Sequence, residues 1–375
     1  MKIALVHEYL AQSGGAEKVL HAFHEIWPDA PIFVWFYDPS KFRNEFANAD
    51  VRTSFIQKMP GVKKNYQWYL PLMPTATERH RLDEFDVVLS SSSMFAKGVL
   101  TRPGSLHICY CHTPPRYLWT ETHEYIENLK YNKFIKRIVL PPLISRLRLY
   151  DKLSADRVDM FLANSETVRS RIHKFYRRES RVVYPPVETD RFKPAAALGD
   201  YYLTGGRLMA YKRFDIVVKT FNRLPHLKLK VFGTGPEEEK LKNNARSNIT
   251  FVGNITDDEK AQLYAHCLAF IHPQVEDFGI TPVESLASGR PVIAYREGGA
   301  SETIEQGKTG VFFNEQNWES LLDVLIHFSP HTFSPELLKE YASKFNKKQF
   351  QENMKRLVED AWEETRRGLR QTTLI

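Results

Sequence analysis

Cysteine is scarce in this chain, with three in 375 residues, Cys109, Cys111 and Cys267. An odd count without metal-ligand spacing excludes a disulfide framework and a thiolate metal site. The thiols read as small buried residues of a reducing cytoplasm. Long apolar runs are also missing, so no segment reads as a transmembrane helix. Met1-Lys-Ile-Ala-Leu-Val-His7 has too short an apolar core for a secretion signal and reads as a first strand. No Asp-x-Asp motif occurs, which removes a common holder of a divalent ion on a phosphate donor. No nucleic-acid motif accompanies the net charge of +7, although that charge favours anionic partners: phosphorylated substrates, anionic lipid or nucleic acid.

The positive charge is concentrated. Residues 1–190 carry nearly all the excess, and Glu127 to Lys152 holds much of it. There Lys130, Lys133, Lys136, Arg137, Arg146, Arg148 and Lys152 alternate with Leu, Ile, Val and Tyr, opposed only by Glu127 and Asp151. The segment reads either as a solvated basic helix face or as a docking surface for an anionic membrane or acceptor.

What is present is a repeated βα pattern long enough for two domains. Strands are expected at Ile3 to Val6, Ile32 to Phe36, Val87 to Ser90, Leu106 to Cys111, Met160 to Ala163 and Val182 to Tyr184. The pattern restarts at Tyr201 to Thr204 and continues at Leu229 to Phe232, Ile249 to Val252, Leu268 to His272, Pro291 to Ala294 and Gly310 to Phe313. Two doubly wound parallel sheets follow, joined through the proline-rich stretch Tyr184 to Pro194. A long charged helix is expected over Asn346 to Arg370. Ligands bind such sheets at the carboxyl ends of strands.

The most informative stretch is His272-Pro-Gln-Val-Glu-Asp-Phe-Gly-Ile-Thr-Pro-Val-Glu284. Pro273 stops a buried strand, and Ile280 to Ser288 reads as a helix closed by Gly289. Glu276 then lies in the loop and Glu284 just over one turn into the helix. The backbone N–H groups of Phe278, Gly279, Ile280 and Thr281 open toward an anion. Taken singly, Glu276 reads equally as a solvated loop acid and Glu284 as an acid favoured by the helix dipole.

Other candidates stand at strand ends. Gly205-Gly206 follows a strand and leads to Arg207 and Lys212, a planar fork and a compact charge suited to a diphosphate, or else two surface cations. Gly14 and Gly15 permit close backbone approach before a helix from Ala16 to Ile26, or form a simple turn. His112 ends a strand, placed to hydrogen-bond a sugar hydroxyl or assist proton transfer, or to serve the structure alone. Ser90 to Ser93 reads as an acceptor-binding or merely polar loop. Phe55 to His80, with Tyr66, Trp68, Tyr69 and Arg79, is a candidate acceptor region.

Glu276-Asp-Phe-Gly-Ile-Thr-Pro-Val-Glu284, continued through Ser285 to Ala294 and Gly298-Gly-Ala-Ser-Glu302, resembles the signature of retaining glycosyltransferases of family four. Gly14-Gly15, His112, Val187-Glu-Thr-Asp-Arg-Phe192, Gly205-Gly-Arg207 with Lys212, Val231-Phe-Gly-Thr-Gly235 and Phe251-Val-Gly253 fall in that family's order. Within it, the chain looks like bacterial mannosyltransferases of lipopolysaccharide O-antigen and other surface glycans.

The resemblance implies an α/β GT-B fold of two Rossmann-like domains facing a cleft. Residues 1–186 would bind the acceptor and 187–345 the nucleotide-sugar donor, with 346–375 forming a helix that crosses back. It implies Glu284 on the donor ribose, Glu276 on the transferred sugar, Arg207 and Lys212 on the diphosphate, and Gly14-Gly15 on the phosphates from the opposite side. His112 would lie near the reacting carbon, Phe278 to Thr281 would offer backbone N–H groups, and Gly253 would lie near the base. Asp277 departs from the family, which commonly has glycine there, and bears on donor preference.

The expected activity is metal-independent transfer of a hexose, best GDP-mannose's mannose, to a lipid-linked or oligosaccharide acceptor. The expected place is the cytoplasm, peripheral to the inner membrane face. A UDP-sugar-dependent transferase, a sugar-nucleotide epimerase or phosphorylase, and a basic membrane- or nucleic-acid-binding module are the rivals.

Overall fold

The computed structural model describes residues 1–12, 14–42, 45–129 and 131–368. Lys130 of the basic run and Arg370 of the expected last helix lie outside them. The chain divides into two compact units, Met1–Tyr184 with the segment from Phe350 onward, and Pro185–Gln349.

In the N-terminal unit the strands are β1 (Ile3–His7), β2 (Ile32–Val34), β3 (Val51–Thr53), β4 (Val87–Ser92), β5 (Leu106–Cys111), β6 (Met160–Ala163) and β7 (Ser180–Val182). They pair in parallel in the order β3-β2-β1-β4-β5-β6-β7. β1, β4 and β5 are buried throughout, as strands covered on both faces require. Edge strand β3 was not foreseen, because Val51-Arg-Thr53 is partly to fully exposed and has no apolar pattern to betray it. Trp35 and Phe36, expected in a strand, leave it after Val34 yet stay buried. All three cysteines are reduced and buried. Burial pushes the Cys109 and Cys267 thiols up to about 12, which leaves them protonated and inert.

The serine run is corrected outright. Ser90, Ser91 and Ser92 belong to β4 and are buried. Three hydroxyls tolerate that place because each has a polar partner: His107 for Ser90, His7 and His112 for Ser91, and Glu8 for Ser92.

The helix Lys347–Arg366 buries Phe350, Met354, Val358 and Ala361 on one stripe, within the cluster that holds Leu20, Phe23 and Tyr110. Phe350 stacks on Phe23 at 5.7 Å between ring centroids. Each of the three larger side chains contributes about 1.5–3 kcal/mol by leaving water.

The basic segment forms a helix at Thr122–Asn128, a π-helical turn at Ile135–Val139 and a helix at Leu140–Ala155. Asp151 does not oppose its surface charge. It is fully buried, pairs with buried Lys97, and accepts from Trp119 Nε1 at 2.7 Å and the Tyr176 hydroxyl at 2.9 Å. The outer face is correspondingly more basic. Among the described residues no helix is long and apolar enough to cross a membrane.

The C-terminal unit carries β8 (Tyr201–Gly205), β9 (Lys228–Phe232), β10 (Ile249–Gly253), β11 (Phe270–His272), β12 (Val292–Tyr295) and β13 (Gly310–Phe313). The parallel order is β10-β9-β8-β11-β12-β13. Winding reverses between β1 and β4 in one sheet and between β8 and β11 in the other. At these points neighbouring chains depart in opposite directions and leave a crevice at their carboxyl ends.

Replacing Asp151 by Ala strands the Lys97 ammonium in the interior. Urea unfolding of the N-terminal unit should show a loss of about 3–5 kcal/mol; an unchanged midpoint would contradict the buried pair.

Burial lowers His80 and His107 to about 4, and burial with the charge of His7 lowers His112 to about 3. Their ordinary value is 6.5. An unfolded chain takes up these protons near that pH while the native one refuses them, so the stability they contribute is complete above it and lost as pH falls toward 4. His7 acts oppositely. Burial disfavours its charge, but Glu17 and Glu8 prevail and raise its pKa, so its contribution is complete below 6.5 and fades as pH rises. Between pH 7.5 and 5 the three neutral histidines should cost roughly 1–2 kcal/mol each. Tryptophan fluorescence in urea reads this, and a flat profile would refute it.

Candidate functional site

At the β8–β11 crevice the local sequence explains the geometry. Pro273 ends β11, and the chain crosses to the helix Ile280–Ala287 through Gly279, whose φ of 85° favours a residue without Cβ. Gly299 packs against the Phe278 backbone so closely that a Cβ there would collide with it. Phe278 itself is buried and meets the Phe345 ring at 5.5 Å, so its side chain anchors the loop. The helix lacks an amide donor at its third residue, Pro282. The N–H groups that this end can offer an anion are therefore those of Gly279, Ile280 and Thr281.

Glu276 accepts from Lys212 Nζ at 2.7 Å and from Gln274 Nε2 at 3.2 Å. Lys212 ends a short turn, Ala210–Lys212, and its Nζ lies 3.7 Å from where a Gly206 Cβ would stand. The structure thus joins Lys212, Glu276 and the glycine turn after β8. Arg207 lies exposed on that same turn. Asp277 is half-buried beside Glu276.

Glu284 is buried one turn into the helix and accepts from Lys260 Nζ at 2.8 Å. Lys260 comes from the helix Asp257–His266, which a Thr256–Glu259 capping box starts. Burial, with the Glu284 carboxylate beside it, raises the Tyr264 hydroxyl above its ordinary value. Gly253 ends β10, and its carbonyl accepts from Gly233 N at 2.7 Å.

Buried polar atoms without a partner among the described residues gather here: both ring nitrogens of His272, Gln274 Oε1 and Thr281 Oγ1. Burial lowers His272 to about 4, so it is neutral. Each such atom costs about 1–3 kcal/mol if nothing meets it, and their clustering is what a polar-ligand site predicts. Lys260, Tyr264, His272 and Gln274 escaped the sequence reading. His272 and Gln274 had a usable signal, their position at a strand's carboxyl end.

The N-terminal unit has its own cluster. Gly14 precedes the helix Gly15–Ile26, and Glu17 folds back so that a Gly14 Cβ would stand 2.8 Å from its Oε2. Glu17 is buried and lies 3.9 Å from His7 Nε2. Glu8 Oε1 accepts from the Ser92 hydroxyl at 3.0 Å and from the N–H groups of Ser93 and Met94 at 2.9 and 2.8 Å. His112 lies just past β5, its Nε2 2.8 Å from Ser91 Oγ. Sequence reasoning missed His7, Glu8 and Glu17, and it had Ser91 only as part of a candidate loop.

In the acceptor candidate region, Trp68 is exposed, Tyr69 donates to the Pro60 carbonyl at 2.6 Å, and Arg79 lies 5.5 Å over the Phe55 ring. Tyr66 packs against Tyr9 at 4.9 Å.

Solved structures share this architecture. The Anabaena protein HepE, solved with UDP, superposes with a TM-score of 0.70 at 17% identity, covering 96% of this chain and 100% of its own. Sucrose-phosphate synthase of Thermosynechococcus elongatus gives 0.71 at 15% identity, covering 96% and 99%. The two parallel-sheet, Rossmann-like units are those of a GT-B protein.

Residues 13–191 match the model described as Glycosyltransferase Family 4, and residues 187–345 that described as Glycosyl transferases group 1. The chain belongs to the family-four-like glycosyltransferases of GT-B fold. Among curated relatives, the alpha-1,3/1,6-mannosyltransferase ALG2 of Dictyostelium discoideum is 24% identical over 255 residues, 55% of this chain and 57% of that protein. A GDP-mannose-dependent alpha-(1-6)-phosphatidylinositol monomannoside mannosyltransferase of Mycobacterium tuberculosis is 29% identical over 201 residues, 45% of this chain and 52% of that protein. The chain spans about half the length of these curated relatives.

Gly299→Ala should displace the Phe278 to Thr281 backbone and cost about 1–3 kcal/mol by overpacking. Trp318 is the tryptophan of the C-terminal unit, and its fluorescence in urea would show an undiminished midpoint if the contact were unimportant.

Proposed function

We propose that the protein is a retaining hexosyltransferase that moves mannose from GDP-mannose to a lipid-linked or oligosaccharide acceptor in surface-polysaccharide synthesis. The contact between Lys212 and Glu276 carries this reading. It sets a cation for phosphate beside a carboxylate for sugar hydroxyls, at the carboxyl edge of a parallel sheet and next to an open helix start.

In this reading the diphosphate lies against Lys212, Arg207 and the N–H groups of Gly279, Ile280 and Thr281, and the family resemblance assigns Gly14 and Gly15 to the phosphates as well. These groups stabilise the charge of the departing diphosphate, so the proposal needs no metal ion. Glu276 orients the sugar, His112 meets it near the reacting carbon, Glu284 holds the ribose, and Gly253 borders the base. The acceptor hydroxyl attacks from the leaving-group face and gives its proton to a donor phosphate oxygen, so configuration is retained.

The two mannosyltransferase relatives support mannose, and the second of them supports GDP. A UDP-sugar donor is the second reading, supported by the fold shared with UDP-bound HepE. Docking on the inner membrane face is supported by exposed Phe134, Ile138, Leu149 and Leu153 among the basic side chains of residues 133–152.

Lys212→Ala should lower kcat by about 10²–10³-fold, the usual loss when one donor to a developing anion is removed. Glu276→Ala should likewise abolish turnover while the melting curve stays cooperative. Near-full activity in either variant would defeat the mechanism. In a thermal-shift panel of GDP-, UDP- and ADP-sugars, GDP-mannose should raise the melting temperature most, since a ligand at 100 times its Kd adds about 2.7 kcal/mol. A shift with UDP-sugars alone would transfer the assignment to the second reading. Pelleting with anionic but not neutral vesicles, reversed by salt, tests the docking surface.

A further inference from the structure

Three linked polar contacts in the N-terminal unit dictate where His112 keeps its proton. His7 Nδ1 lies 3.0 Å from the Ser91 carbonyl oxygen and 3.1 Å from Ser91 Oγ. A carbonyl can only accept, so Nδ1 of His7 carries a hydrogen, and the Ser91 hydroxyl cannot donate to it. The hydroxyl hydrogen is left for the other ring in reach, His112 Nε2 at 2.8 Å. That nitrogen must then present its lone pair.

Charge reinforces the arrangement. His7 stands between two buried carboxylates, with Nε2 3.9 Å from Glu17 Oε1 and Nδ1 3.8 Å from Glu8 Oε2. These two are the acids facing it, and they favour the imidazolium. A cation at His7 opposes a second one at His112, in addition to the burial that already does so. We infer that the chain Glu17–His7–Ser91 is a positioning device that holds His112 neutral with its proton on Nδ1, so that this ring serves the substrate as a hydrogen-bond donor and not as a proton acceptor.

The substrate role of His112 rests on the proposed function; its tautomer does not. The consequence for the reaction is specific. A ring with Nε2 engaged by Ser91 and a hydrogen on Nδ1 can hold a sugar oxygen, while deprotonation of the acceptor is left to the donor phosphate. Ser91→Ala removes one hydroxyl from a strand whose backbone pairing with β1 and β5 is unaffected. Glu17→Gln keeps the shape and removes the charge.

The test uses full-length protein with ring-15N histidine and two-bond proton–nitrogen correlation spectra, His112 being assigned by its loss in His112→Gln. The wild type should show one pyrrole-like Nδ1 and one pyridine-like Nε2 at His112, unchanged from pH 5.5 to 8. Ser91→Ala should convert this to a tautomer mixture and lower turnover about ten-fold, the low end of what is lost when the partner that orients a metal-bound histidine is removed. Glu17→Gln should leave the His112 pattern and let His7 lose its proton at lower pH. A pyrrole-like Nε2 in the wild type, or an unaltered pattern in Ser91→Ala, overturns the inference. Full turnover in His112→Gln beside the expected spectra would instead remove the substrate role.

Discussion

The separation of two adjacent parallel strands, β8 and β11, is the constraint on which the candidate site of the C-terminal unit depends. Parallel pairing holds their bodies together through Phe270 and Leu203, and the crossovers then carry the chain away in opposite directions. The crevice so formed is lined by backbone that no further strand can satisfy. Its polar groups must find side chains or ligand, and Gly279, Pro282 and Gly299 are the residues that let the chain pass without closing it. The same topology between β1 and β4 gathers His7, Ser91 and His112 in the N-terminal unit.

Burial of charge follows one rule in both units, with different outcomes. Asp151 is surrounded by Lys97, Trp119 and Tyr176, whose contacts occupy both of its oxygens, so it ties the basic helix to the turn after β4 and to two neighbouring helices. At the β11 end, by contrast, Glu276 and Glu284 each hold a lysine while His272, Gln274 and Thr281 retain buried polar atoms without partners among the described residues. The first arrangement is complete within the protein, whereas the second leaves buried polar atoms without partners among the described residues. This difference distinguishes a structural ion pair from a candidate site more sharply than burial or charge alone.

Much of the architecture was legible in the sequence because a strand covered on both faces must be apolar along its length. Ile3 to Val6 and Leu106 to Cys111 announce themselves that way. Edge strand β3 does not, since half-solvated Val51-Arg-Thr53 answers to no such demand. The serines of β4 misled for the opposite reason: hydroxyls are buried here only because histidines and Glu8 on or just beyond the neighbouring strands meet them. Asp151 looked like a surface acid because its helix is basic outside, and only the fold brings Lys97 beneath it. In the C-terminal unit, Glu276, Glu284 and Lys212 were readable from motif order. Lys260 was not, being an ordinary lysine on a capped helix until packing brings it to Glu284.

The sequence by itself therefore determined the two-sheet α/β plan, the glycine turns and the residue types that suit phosphate and sugar, because periodicity and turn chemistry are local properties. Tertiary structure alone decided which charges are paired, which polar atoms lack partners, and which nitrogen of His112 bears the proton. Those depend on distances between side chains far apart in the chain, such as the 2.7 Å between Lys212 and Glu276 or the 2.8 Å between Ser91 and His112. Electrostatics and hydrogen bonding fall off steeply with distance, so only the folded chain, which sets those distances, can assign them.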